Sequence, residues 1–159
     1  MNVFVDTQIW VYAFKRPSKE KIPDETLYNR ALKMHEKARE LIRRLLVEDT
    51  IYITAHQLAE IYHALAFRGV KMSIEEAHGI VEKLARSSKT VIVEVKRKHY
   101  REALRHSSLT GIHVWDYLCV IPLRNLVDIA YTNDKHFLHP SLSSMIPRIE
   151  NPVGEWLEL

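Results

Sequence analysis

At 159 residues and 47% hydrophobic composition, the chain is about one domain long and can bury a full core without disulfide or metal staples. Its one cysteine, Cys119, has no partner within the chain, which fits a reducing cytoplasm. No stretch approaches the roughly 18 uninterrupted apolar residues of a membrane span, and Asp6 interrupts the first apolar run where a secretion signal would be continuous. A soluble cytoplasmic protein is therefore expected. Net charge is only +3.

Val3, Phe4 and Val5 form a short apolar run, as in a strand buried on both faces of a parallel sheet. Ile9, Trp10, Ala13 and Phe14 then recur at helical spacing until Lys15-Arg16-Pro17 stops them. Residues 15 to 26 read as a loop. From Leu27, apolar positions step by threes and fours to Leu46, predicting a long amphipathic helix that ends near Glu48. Ile51 to Ile53 supply a second strand. Thr54-Ala55-His56-Gln57 matches a capping box, so a helix is expected from there to Gly69, and Ser73-Ile74-Glu75-Glu76 opens another that ends near Ser87. Thr90 to Val95 reads as a third strand. A basic segment follows, with Lys96, Arg97, Lys98, His99, Arg101, Arg105 and His106 close together. It is expected to be helical, with a break at Ser107 to Gly111. Val114 to Ile121 predicts a buried helix that Pro122 kinks or ends, and Val127 to Tyr131 a fourth strand closed by Thr132-Asn133-Asp134. An edge strand around Ile149 completes the pattern. Strands alternating with helices argue for an α/β domain with a mainly parallel sheet.

In such sheets ligands bind beyond the carboxyl ends of the strands. Asp6 and Asp134 sit at such ends, although an aspartate there also caps a following helix. Asp116 lies in Val-Trp-Asp-Tyr-Leu-Cys-Val-Ile, where a lone carboxylate is costly to bury unless donors or a cation meet it. Its alternative role is to complement the dipole of a helix N-terminus. Glu60 is the weakest candidate by periodicity, because Leu58, Ile61, Tyr62 and Leu65 define an apolar face that leaves it beside His56 and His63.

The order of four blocks resembles the PIN-domain nucleases and, within them, the VapC-type toxins. The blocks are Val3-Phe4-Val5-Asp6-Thr7, Thr54 to Ile61 with Glu60, Val114-Trp115-Asp116-Tyr117-Leu118, and Ile129 to Phe137 with Thr132 and Asp134. The resemblance implies one PIN-like domain over residues 1–159, a three-layer α/β/α fold with four to five short strands. It also implies that Asp6, Glu60, Asp116 and Asp134 converge on one or two Mg²⁺ or Mn²⁺ ions, with supporting hydroxyls at Thr7 and Thr132. For Glu60 the resemblance overrules the helical wheel. Gln8 stands where the family usually has a smaller polar residue, and Pro122 interrupts a helix that is commonly alanine-rich.

Crowded carboxylates repel one another unless a divalent cation neutralises them, and all-oxygen ligation suits hard Mg²⁺ or Mn²⁺. This chemistry predicts metal-dependent phosphodiester hydrolysis, and the family resemblance implies that the substrate is RNA, cut internally. A cognate antitoxin and a homodimer are the implied partners. Lys96, Arg97, Lys98, Arg101 and Arg105 are candidate phosphate contacts, with a solvated helix face as the alternative.

Three other readings compete. The scaffold could be a catalytically inactive module that binds RNA or protein. Glu60-Ile61-Tyr62-His63 and Glu75-Glu76-Ala77-His78, with Glu36 and Glu40, could serve a di-iron carboxylate bundle, though such bundles need four long core helices. A hydrolase with an aspartate nucleophile is disfavoured because Gln8 replaces the usual second aspartate.

Overall fold

The structure, a computed structural model, describes residues 1–159. Five strands, β1 (Asn2–Val5), β2 (Thr50–Thr54), β3 (Thr90–Val93), β4 (Ile129–Tyr131) and β5 (Arg148–Glu150), form one sheet in the order β3-β2-β1-β4-β5. Every pairing is parallel. The central strand alternates as its period of two requires. Val3 and Val5 enter a core with Ile9, Trp10, Leu45, Ile61 and Leu65, whereas Phe4 enters a second core with Leu118, Leu123, Ala130 and Phe137. Phe4 stacks on Phe137 with ring centroids 6.1 Å apart. Each such side chain contributes about 1.5–3 kcal/mol by leaving water.

The helices divide between these two cores. The first face carries α1 (Thr7–Phe14), α2 (Glu25–Glu48), α3 (Ala55–Phe67) and α4 (Ile74–Arg86), and the second carries α5 (Arg97–Thr110), α6 (Val114–Val120) and the short α7 (Pro140–Ser143). The chain winds outward from β1 through β2 to β3, then returns across the other face to β4. The order therefore reverses between β1 and β4, the switch point where an open α/β sheet parts its loops. No helix is long and apolar enough to cross a membrane.

Local chemistry explains where elements differ from the sequence reading. The helix after β3 does not break at Ser107 but continues through Thr110. Ser108 Oγ and Thr110 Oγ1 donate back to the carbonyls of Arg105 and His106, so the hydroxyls are satisfied within the helix and do not end it. It stops at Gly111, whose φ of +74° is left-handed. Strand β3 ends at Val93, two residues early, and β4 begins at Ile129, after Asp128 accepts the backbone N–H of Asn2 at 2.9 Å. The di-iron arrangement is excluded by the sheet. Glu36, Glu40, Glu75 and His78 face solvent instead of a common core.

Candidate active site

Asp6 follows β1 directly, and its backbone N–H still pairs with the Tyr131 carbonyl of β4 at 2.9 Å. The parallel ladder thus carries the first carboxylate to the switch point. Thr132, the residue after β4, is fully buried and donates its hydroxyl to Asp6 Oδ2 at 2.7 Å. The same hydroxyl accepts the backbone N–H of Asp134 at 3.0 Å. One side chain therefore sets the spacing of the first and fourth acids. Asp134 caps the turn after it by accepting the His136 N–H at 2.8 Å.

Glu60 projects from α3 into the same cleft. Its Oε2 accepts the hydroxyl of buried Thr7 at 2.8 Å. The Thr7 hydroxyl therefore supports the second acid, while the hydroxyl that meets Asp6 is that of Thr132. Below this contact, buried Gln57 donates from Nε2 to the Val5 carbonyl at 2.7 Å and lies 3.5 Å from Thr7 Oγ1. Thr54 accepts the Gln57 backbone N–H, as the capping reading requires, but the Gln57 side chain ties α3 to the end of β1 instead of reaching back to its own cap. Cys119 packs with its sulfur 3.8 Å from Glu60 Oε2, and burial pushes its thiol well above the ordinary range.

Asp116 enters from the first turn of α6. Burial is the main cause that raises its carboxyl to about 8, and the charges of Asp6, Asp134 and Glu60 add to it. Asp6 is raised to about 7, again chiefly by burial; the Thr132 hydroxyl pulls it down, and Asp134 and Glu60 push it up. The cleft these groups share has a volume of about 700 Å³ and is lined by all four acids, with Lys15, Arg16, Arg68, His113 and Trp115 at its walls. Such a set of oxygen donors, costly to ionise together, fits a hard divalent cation.

A family model described as PIN domain matches residues 3–138. The chain belongs to the PIN domain family. No curated protein sequence matches it. Among solved structures, this PIN domain resembles a chain of VapBC2 from Rickettsia felis, described as bound to a DNA fragment from its promoter. There the identity is 20%, with 95% of this chain and 98% of that one covered at a TM-score of 0.60. It also resembles Mycobacterium tuberculosis VapC20, described as a Sarcin-Ricin loop cleaving toxin, at 16% identity, 91% and 97% coverage and a TM-score of 0.62. The PIN-like α/β/α fold with a parallel central sheet is thereby shared with both.

The basic residues of α5 lie elsewhere in this PIN domain. Lys96, Arg97, Lys98, Arg101 and Arg105 are exposed, and none lines the carboxylate cleft. The cleft cations are Lys15 and Arg16, which follow α1, and Arg68, which follows α3. Lys15 Nζ donates to the carbonyls of Ala64 and Arg68, holding the end of α3 beside the cleft. Sequence reasoning missed Gln57, His113 and His136 as neighbours of the acids. His136 offered one signal, its position two residues after Asp134.

Proposed function

We propose that this PIN domain is a metal-dependent endoribonuclease that hydrolyses RNA phosphodiester bonds at Asp6, Glu60, Asp116 and Asp134, and that it acts in the cytoplasm as the toxin of a toxin–antitoxin pair. The observation that carries the reading is the convergence of four carboxyls on one cleft, with Asp6 and Asp116 held at about 7 and about 8. These residues would hold one or two Mg²⁺ or Mn²⁺ ions. Such ions supply polarisation of a phosphate oxygen and acidification of a water.

The chain's own groups perform the rest. Thr132 and Thr7 restrain Asp6 and Glu60 through their hydroxyls, so the carboxylates meet their ligand without first reorganising. A carboxylate oxygen left free of ligation orients the attacking water and takes its proton. Lys15, Arg16 and Arg68 neutralise phosphates that flank the cut. Trp115, 52% exposed at the cleft wall, offers a face to an unpaired base, which favours single-stranded or looped RNA.

Cleavage of an RNA pool in the presence and absence of Mg²⁺ or Mn²⁺ tests the proposal. Internal cuts that require the metal and vanish in Asp6→Asn and Asp116→Asn are expected. Activity that survives chelation and both substitutions would overturn it. The structural likeness to a VapBC2 chain supports a cognate antitoxin that covers the cleft, tested by co-purification with the product of the neighbouring gene. Pairing of two copies is the remaining part of the proposal, read by light scattering.

A further inference from the structure

At one edge of the cleft, His113, Asp116 and His136 each offer a ligand atom, and these three atoms lie within 4.8 Å of one another. His136 Nδ1 is 3.3 Å from Asp116 Oδ2. The ordinary explanation is an imidazolium that neutralises Asp116, but the contact is not a directed hydrogen bond. Both atoms are inaccessible to solvent and have no hydrogen-bond partner, a costly condition for buried polar atoms. Asp134 Oδ1, at 3.4 Å from the same nitrogen, is already engaged by the His136 backbone N–H. The His113 and His136 rings stand edge to face at 5.3 Å, so their nitrogens approach a common point without stacking.

A tetrahedral zinc ion with ligands at about 2.0–2.1 Å has ligand-to-ligand edges of about 3.4 Å. The His136–Asp116 separation already matches one edge, and exposed His113 can rotate to supply the third ligand. Two imidazoles and one carboxylate suit a borderline ion such as Zn²⁺, unlike the all-oxygen set formed by the four acids.

We propose that His113, Asp116 and His136 form a zinc-type site at the cleft edge, and that its occupation opposes loading of the Mg²⁺-type site because Asp116 is common to both. The zinc site rests on its own geometry; the opposition rests on the nuclease reading above.

The full chain, stripped of metal, is titrated with Zn²⁺ against a chromophoric chelator, and separately with Co²⁺ to read the visible absorption of its coordination sphere. One tight equivalent is expected, with a tetrahedral cobalt spectrum. His113→Ala and His136→Ala should each weaken it at least tenfold, whereas Glu60→Gln, which alters none of the three ligands, should not. Circular dichroism checks folding, and exposed His113 keeps the test available if the His136 variant unfolds. In the RNA assay, Zn²⁺ should raise the Mg²⁺ concentration needed for half-maximal cleavage in the wild type and do so at least tenfold less effectively in His113→Ala. Zinc binding unchanged in both histidine variants, or lost equally in Glu60→Gln, overturns the site. A protein that binds zinc as described but cuts no RNA retains the site and loses the nuclease reading.

Discussion

Replacing Asp6 by Asn should stabilise the metal-free protein and inactivate it. Asn matches the protonated acid in shape and still accepts the Thr132 hydroxyl that now meets Asp6 Oδ2. The folded carboxyl titrates at about 7 against an ordinary 3.8, so it binds its proton more tightly in the folded protein. Its contribution to stability is fully present below about pH 4 and is lost as pH rises through about 7. At about 1.36 kcal/mol per pKa unit, the loss above pH 7 is at most about 4 kcal/mol. Part of the shift is repulsion from Asp134 and Glu60, which relaxes as the cluster redistributes its protons. A gain of about 2 kcal/mol at pH 8 is therefore expected, or about 4–8 °C in Tm for a chain of this size. Thermal unfolding in chelator from pH 4.5 to 8.5 measures it, in roughly half-unit steps. The difference between variant and wild type should be smallest at the acid end and grow across the window. A variant that is less stable than the wild type at pH 8, or a difference that does not change with pH, would refute the reasoning.

The same protons must leave when a cation binds. Apparent Mg²⁺ affinity should rise between pH 6 and 8.5, and calorimetry in buffers of different ionisation enthalpy should detect proton release on binding. Thr132→Val removes the hydroxyl shared by Asp6 and the Asp134 backbone; stability should fall by about 1–3 kcal/mol, and activity should fall in the soluble fraction that remains folded, as denaturant melts and RNA cleavage will show. Trp115→Ala should raise KM for short single-stranded RNA while Trp115→Phe stays near wild type, measured by initial rates. Neutralising Arg16 and Arg68 should flatten the salt dependence of RNA binding more than neutralising Arg101 and Arg105, read from filter binding at several salt concentrations.

Periodicity and local chemistry were enough to read most of the architecture. The apolar run Val3 to Val5, the steps of α2 and the caps at Thr54 and Ser73 are signals carried within a few residues, and the strands and helices follow them. Strand ends are legible for the same reason: Asp6 and Asp134 stand where a parallel sheet opens. Glu60 was not legible in that way. A helical wheel knows only core and solvent, and α3 has a third environment, the cleft, which exists only when α3 lies beside β1. The family resemblance singled out Glu60, which lines the same cleft as the other acids, but the identity of its support came from packing, because Thr7 is 53 residues away along the chain. The basic run of α5 shows the reverse limit. Its charge density is a property of sequence, yet its distance from the cleft depends on the return of the chain across the second face of the sheet. Arg68, at the end of another helix, reaches the cleft instead. The raised carboxyls of Asp6 and Asp116 belong wholly to the folded state, since burial and the approach of acids from four separate segments exist nowhere in the extended chain.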